Sequence, residues 1–263
     1  MALFEKKKTV IAMAHMPPLP GSPHYDRDGG VGAITEHVMR DIEALQAGGV
    51  DAIMFGNEGD RPYQLQATPE GLAAMATVVA ACRPALTCPF GVNYLWDPVA
   101  TVALAVASGA SFAREVFTGV YDSDMGLWEP DAAGALRLRD NLGRNDIKLL
   151  FNVNAEFAAP LGDRAPAQKA KSAVFSSIAD VICVSGPLTG EAVDGSELAR
   201  VKEAVGDVPV LANTGVNIDN VADIFSIADG CVIGTHFKRD GNTWNEVEAA
   251  RVSRFMEAVD KLR

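Results

Sequence analysis

The sequence predicts an α/β protein of one domain, a single (β/α)8 TIM barrel over residues 1–263, and three observations carry that reading. Eight short apolar runs alternate with eight amphipathic or alanine-rich stretches along the chain. Strand–helix alternation of this kind implies parallel pairing, and about eight units in about 250 residues is the stoichiometry of a closed barrel. No linker, low-complexity tract or shift in composition marks a second domain. A doubly wound open sheet is the alternative. Such sheets usually carry a glycine fingerprint after the first strand, and HMPPLPGS (15–22) is not GxGxxG.

The units follow in order. TVIAMAHM (9–16) reads as a buried strand, and VGAITEHVMRDIEALQAGG (31–49) as a helix closed by glycine. DAIMFGN (51–57) leads to EGLAAMATVVAACR (70–83), and PFGVNYL (89–95) to PVATVALAVASGA (98–110). SFAREVF (111–117) precedes AAGALRLRDNLG (132–143), and KLLFNVNAEF (148–157) precedes APAQKAKSAVFSSIA (165–179). DVICVSG (180–186) pairs with SELARVKEAVG (196–206), where Asp194 is expected to cap the helix or its loop. PVLANTG (209–215) pairs with NIDNVADIFSIA (217–228), and GCVIGTHF (230–237) with TWNEVEAARVSRFMEAVDKL (243–262).

Composition limits the partners. The 263 residues are 48% hydrophobic and 22% charged, enough for a sizeable core, and the formal net charge is −11. An acidic surface without a basic patch repels phosphodiester backbones, so no nucleic-acid partner is expected. The four cysteines form no CxxC pair and have no histidine at metal-site spacing, so a reduced, cytoplasmic setting is expected. KKKTVIAMA (6–14) superficially resembles a signal peptide. His15 and the prolines break it early, and the lysines are read as solvating the entry to the first strand. No run approaches the ~20 apolar residues of a membrane span, so no integral membrane association is expected.

In a barrel, chemistry belongs at the C-terminal ends of the strands. Lys148 and Asp51 precede their strands and fall on the opposite, stabilising face. At the mouth, alternation places Asn152, Asn154 and Glu156 on one face of the fifth strand. They form either an internal hydrogen-bond network or a surface for sugar hydroxyls. Asn93 and Asn213 are expected beside them as substrate-binding residues. Gly215, with Val216, and Gly234, with Thr235, follow the seventh and eighth strands, where barrels often hold phosphate on exposed backbone N–H groups; the alternative is plain tight turns. Lys238 could add charge, and Ser185, Gly186 and Thr189 could close the rim. His15 shares a face with Ile11 and Met13 and points inward, as a catalytic or a structural histidine. Glu58 and Glu115 are the acid–base candidates. Arg114 and Glu115 must face opposite ways, and Glu115 inside with Arg114 outside is preferred. The rigid loop HMPPLPGSPHYD (15–26) is read as the first βα-loop, holding His15 and also His24 against the pocket. No strand interior supplies a Schiff-base lysine, and no GxSxG elbow is present. No cofactor is implied. A divalent metal on His15, Glu58 and Glu115 is conceivable, though their spacing does not support it.

The segments VIAMAHMPPLPGSPHYD, DAIMFGNEGDRPY, PFGVNYLWDPVATVALAVASGASFAREVF, NVNAEF, LANTGVN and VIGTHFKRDG together resemble the BtpA/SgcQ family, over essentially the entire chain. The resemblance implies a phosphate-binding TIM barrel. Some members are associated with photosystem I biogenesis in cyanobacteria, and others occur with sugar-utilisation functions, which implies a phosphorylated carbohydrate. Three readings follow. The first is a sugar-phosphate isomerase or epimerase, expected as a homo-oligomer. The others are a metal-assisted retro-aldol lyase and a non-enzymatic assembly factor.

Overall fold

Side-chain alternation sorts the apolar residues into two cores. Ile11 and Met13 on β1 (Thr9–His15) and Met54 on β2 (Ala52–Gly56) point to a common axis with Phe112, Leu150, Cys183, Leu211 and Val232. The residues between them, including Val10, Ala12, Phe55, Phe151 and Ile182, face a surrounding layer of helices. Both faces of the barrel strands are therefore covered, which is why these strands read as nearly continuous apolar runs. In this computed structural model, residues 7–263 are described; the first six residues of the expected domain, with Lys6, lie outside them.

The remaining barrel strands are β3 (Phe90–Asn93), β4 (Phe112–Glu115), β7 (Lys148–Asn152), β9 (Val181–Val184), β10 (Val210–Ala212) and β11 (Gly230–Ile233). With β1 and β2 they close as β1-β2-β3-β4-β7-β9-β10-β11, every pair parallel. The helices are α1 (Gly30–Ala47), α2 (Pro69–Cys82), α3 (Pro98–Ser108), α4 (Ala132–Asn141), α5 (Pro166–Ser176), α6 (Gly195–Val205), α7 (Val221–Ile227) and α8 (Ala249–Asp260). Proline starts α2, α3 and α5, where its missing N–H costs nothing. Thr68, Asp97 and Asp131 cap α2, α3 and α4, and Asp194 caps α6 as expected.

At the N-terminal end, an aspartate one residue before a strand stitches it to its neighbour. Asp51 accepts from Val10 N (2.8 Å), Asp180 from Leu149 N (3.0 Å) and Asp229 from Val210 N (2.8 Å). Each also holds a cation: Arg263, Arg139 with Lys148, and Lys202. Lys8, read as a solvating lysine, instead donates to Ala228 O at 2.8 Å. Among the described residues no helix is long and apolar enough to cross a membrane.

Several boundaries differ from expectation. The fifth barrel strand stops at Asn152, so alternation no longer governs Asn154 and Glu156. The seventh helix starts at Val221, because Asn217 and Asn220 use their side chains to cap an intervening turn. A second sheet of β5 (Tyr121–Ser123), β6 (Gly126–Trp128) and β8 (Ala158–Pro160) is antiparallel and built from two mouth loops. Its three-residue strands are too short to leave a periodic signal. Through Tyr121 and Trp128 it packs on Leu95 and Trp96.

Candidate functional site

β1 ends on His15, the third inward position after Ile11 and Met13, and that register brings the imidazole to a cavity of about 210 Å³ at the mouth. Around it stand Glu58 from the β2 loop, Arg114 from β4, Glu156 from the β7 loop and Asn213 from β10. Tyr63, Leu95 and Trp96 form an apolar wall, with Trp96 packed on Trp128 at 5.2 Å between ring centroids. Gly215, Val216, Gly234 and Thr235 line the same cavity, so the loops after the last two strands converge. Among the described residues, the backbone N–H groups of these four have no hydrogen-bond partner.

The two glycines are there for space. Gly215 has φ +64°, and a Cβ would collide with the Glu191–Ala192 backbone. A Cβ on Gly234 would meet His15 Cε1 at 2.7 Å. Neither precedes a long helix: α7 begins six residues after Gly215, and only a 3-10 turn, Thr235–Phe237, follows Gly234.

Arg114 is the electrostatic centre. Phe112 points inward, so alternation sends Arg114 inward and Glu115 to the other side. The expected orientation is thus reversed. Arg114 Nη1 donates to Asn213 Oδ1 (2.8 Å), Nε donates to Asn93 Oδ1 (3.1 Å), and Nη2 donates to the same oxygen. Glu115 Oε1 accepts from Asn93 Nδ2 (2.6 Å) and Oε2 from Val116 N (2.7 Å), so it positions Arg114 through Asn93. Burial pushes the Glu115 carboxyl up to about 8. Glu58 and Glu156 are also raised by burial, with Arg114 opposing the rise in both. His15 falls to about 3, first through burial and then through the Lys238 cation, so it is neutral at pH 7. Its Nε2 lies 3.6 Å from Glu58 Oε1, while His15 Nδ1 and Glu58 Oε2 are buried without partners.

Other expected site residues serve the walls. Asn93 is fully engaged by Arg114 and Glu115 and is closed off from the cavity. Asn152 is fully buried, its Nδ2 3.5 Å from Ser185 Oγ. Asn154 clamps the Ser185 backbone, donating to its O (2.5 Å) and accepting from its N (2.9 Å). Ser185 Oγ accepts from Asn213 Nδ2 (2.8 Å), and Gly186 N donates to Thr214 Oγ1 (2.5 Å), so neither amide is open to a ligand. Lys238 does not reach the glycine loops. Its ammonium lies 2.5 Å from Asp41 Oδ2, both side chains 1% exposed. His24 is exposed and lies outside the lining. Thr189, in contrast, does reach the rim, donating to Glu156 Oε2 at 2.8 Å.

Counting two residues from Phe112 would have found Arg114. Tyr63, Trp96 and Gly190 come from loops and leave no periodic signal. Among the described residues no three His, Cys, Asp or Glu side chains gather as a metal-ligand group.

These features define a class: a parallel eight-stranded barrel with an ionisable cup and a glycine-lined recess at its C-terminal mouth. A profile of the BtpA family matches residues 6–261. The chain belongs to the BtpA family. It is 48% identical to the putative sgc region protein SgcQ of Escherichia coli K12, over 98% of this chain and 96% of that one. It is 34% identical to the photosystem I biogenesis protein BtpA of Synechocystis, over 97% and 89% of the two chains. In fold it resembles (S)-3-O-geranylgeranylglyceryl phosphate synthase from Thermoplasma acidophilum, solved with its substrate sn-glycerol-1-phosphate. The TM-score is 0.60 at 16% identity, covering 98% of this chain and 95% of that one. Phosphoribosyl anthranilate isomerase from Thermus thermophilus gives a TM-score of 0.59 at 14% identity, covering 97% and 100%.

Proposed function

We propose that this chain is an enzyme acting on a small phosphorylated, sugar-like metabolite, and that it moves a proton at a carbon beside a carbonyl. One observation carries the reading: a single cavity holds buried acid–base groups, an inward arginine and four unengaged backbone N–H groups. The N–H groups of Gly215, Val216, Gly234 and Thr235 suit a phosphate. Arg114 suits the oxygen that gains charge as the carbonyl becomes an enediolate. Glu58 takes the proton from one carbon and returns it to the next, its raised pKa matching that exchange. Neutral His15 donates to or accepts from the substrate oxygens, and Asn213 orients them. Holding phosphate remote from the reacting carbon fixes the geometry. The fold neighbours solved with, or named for, phosphorylated compounds agree with this ligand class.

The test is a thermal-shift screen of pentose and hexose phosphates, with and without Mg²⁺ or Mn²⁺, followed by incubation of each hit in D₂O. A phosphorylated sugar should raise the melting temperature where its unphosphorylated form does not. Deuterium should appear beside the carbonyl by NMR. A full panel of phosphates with no shift and no exchange overturns the reading.

A further inference from the structure

A second cavity, of about 340 Å³, lies against the first. His15 lines both, and the Thr235 hydroxyl of the first hydrogen-bonds at 2.7 Å to the Thr243 hydroxyl of the second. The partition is thus one layer of side chains, and one of them, His15, keeps a buried Nδ1 without a partner. At about 210 Å³ the first cavity is smaller than the roughly 300 Å³ at which small-molecule sites usually begin. The second opens to solvent between the exposed Arg61 and Trp244, so a ligand can enter it.

The walls of the second cavity indicate what fits. Met16, Pro17, Pro18 and Trp244 present apolar surfaces, and Thr243 and Asn245 present polar edges. Lys238 in the wall is neutralised by Asp41. Arg61 stacks over Trp244 at 3.7 Å from the ring centroid, holding the half-exposed indole at the edge of the chamber. A bare sugar phosphate has nothing to place against proline, thioether and indole. A flat heterocycle does: its faces match the apolar walls and its edge atoms match the amide and hydroxyl.

We propose that this chamber is a subsite for a planar heteroaromatic substituent on the phosphorylated sugar, making the ligand class nucleotide-like. The proposal rests on the phosphate reading of the first cavity, and three probes separate the two. Ribose 5-phosphate, adenosine 5′-monophosphate and adenosine are titrated calorimetrically into the full chain, with the uridine pair in parallel. A nucleoside monophosphate should bind at least about tenfold tighter than ribose 5-phosphate. That ratio should fall towards one in Trp244→Ala and, at a second exposed position, in Arg61→Ala. Equal affinities in the wild type, or a ratio that survives both substitutions, overturns the subsite. Adenosine binding that Trp244→Ala abolishes, with no gain from phosphate, keeps the subsite and overturns the phosphate reading. No binding by any nucleoside or nucleotide probe overturns the subsite, and the phosphate reading is then decided by the full panel of sugar phosphates.

Discussion

Two buried cations near the barrel mouth have opposite fates. Lys238 is closed by Asp41, which also accepts from Val247 N at 2.7 Å, so its charge is neutralised within the wall. Arg114 is bonded to two neutral amides, Asn93 and Asn213, and among the described residues no carboxylate lies within ion-pairing distance of it. Its charge is left directed at the cavity, where Glu58 and Glu156 feel it from further away. A cation with its own counterion is part of the scaffold. One held by amides is available to a ligand.

The largest test of this contrast is Asp41→Ala. It leaves Lys238 buried and unpaired and should cost about 3–5 kcal/mol in urea denaturation. A loss below about 1 kcal/mol would make the pair no more than a surface contact. Next is Glu58→Gln, which should lower turnover on any phosphorylated substrate by about 10²–10⁴-fold while leaving the denaturation midpoint nearly unchanged, since it removes a buried charge. Full turnover assigns the proton transfer elsewhere. Arg114→Met should reduce turnover by about 10²–10³-fold, through loss of oxyanion stabilisation. If it costs stability alone, Arg114 is scaffold like Lys238.

Glu115 sharpens the comparison through pH. Its carboxyl rises from an ordinary 4.5 to about 8 in the folded chain, so its protonated form is the one the fold favours. The stability it contributes is fully present below pH 4.5 and is lost as pH rises towards 8. Glu115→Gln should flatten part of that decline when melting temperatures at pH 5 and pH 8.5 are compared; an unchanged slope removes Glu115 as its source. The smallest effect is expected from exposed His24→Ala, within about 0.5 kcal/mol and with ligand shifts intact.

The barrel was legible in the sequence because both faces of each strand are buried and each helix carries an apolar stripe. Gly215 and Gly234 stand in the sequence where nothing larger fits, the first against the Glu191–Ala192 backbone and the second against the His15 ring. Arg114 and Lys238 differ in how far the sequence discloses their partners. Alternation from Phe112 fixes Arg114, whereas the Asp41 that takes Lys238 lies 197 residues away and no local pattern announces it. The alternation that puts Asn154 and Glu156 on one face ends with β7 at Asn152. Glu156 still reaches the cavity, and Asn154 instead ties two loops together.

The small antiparallel sheet has a consequence for how this mouth can change. β5 and β6 arise after one barrel strand and β8 after the next, and β5 pairs with both of the others. Their lengths are therefore coupled: an insertion in either crossover would shift the register of a ribbon that shelters Trp96. Chimaeras exchanging numbers 118–131 and 153–163 together should keep their shape, and those exchanging one alone should not.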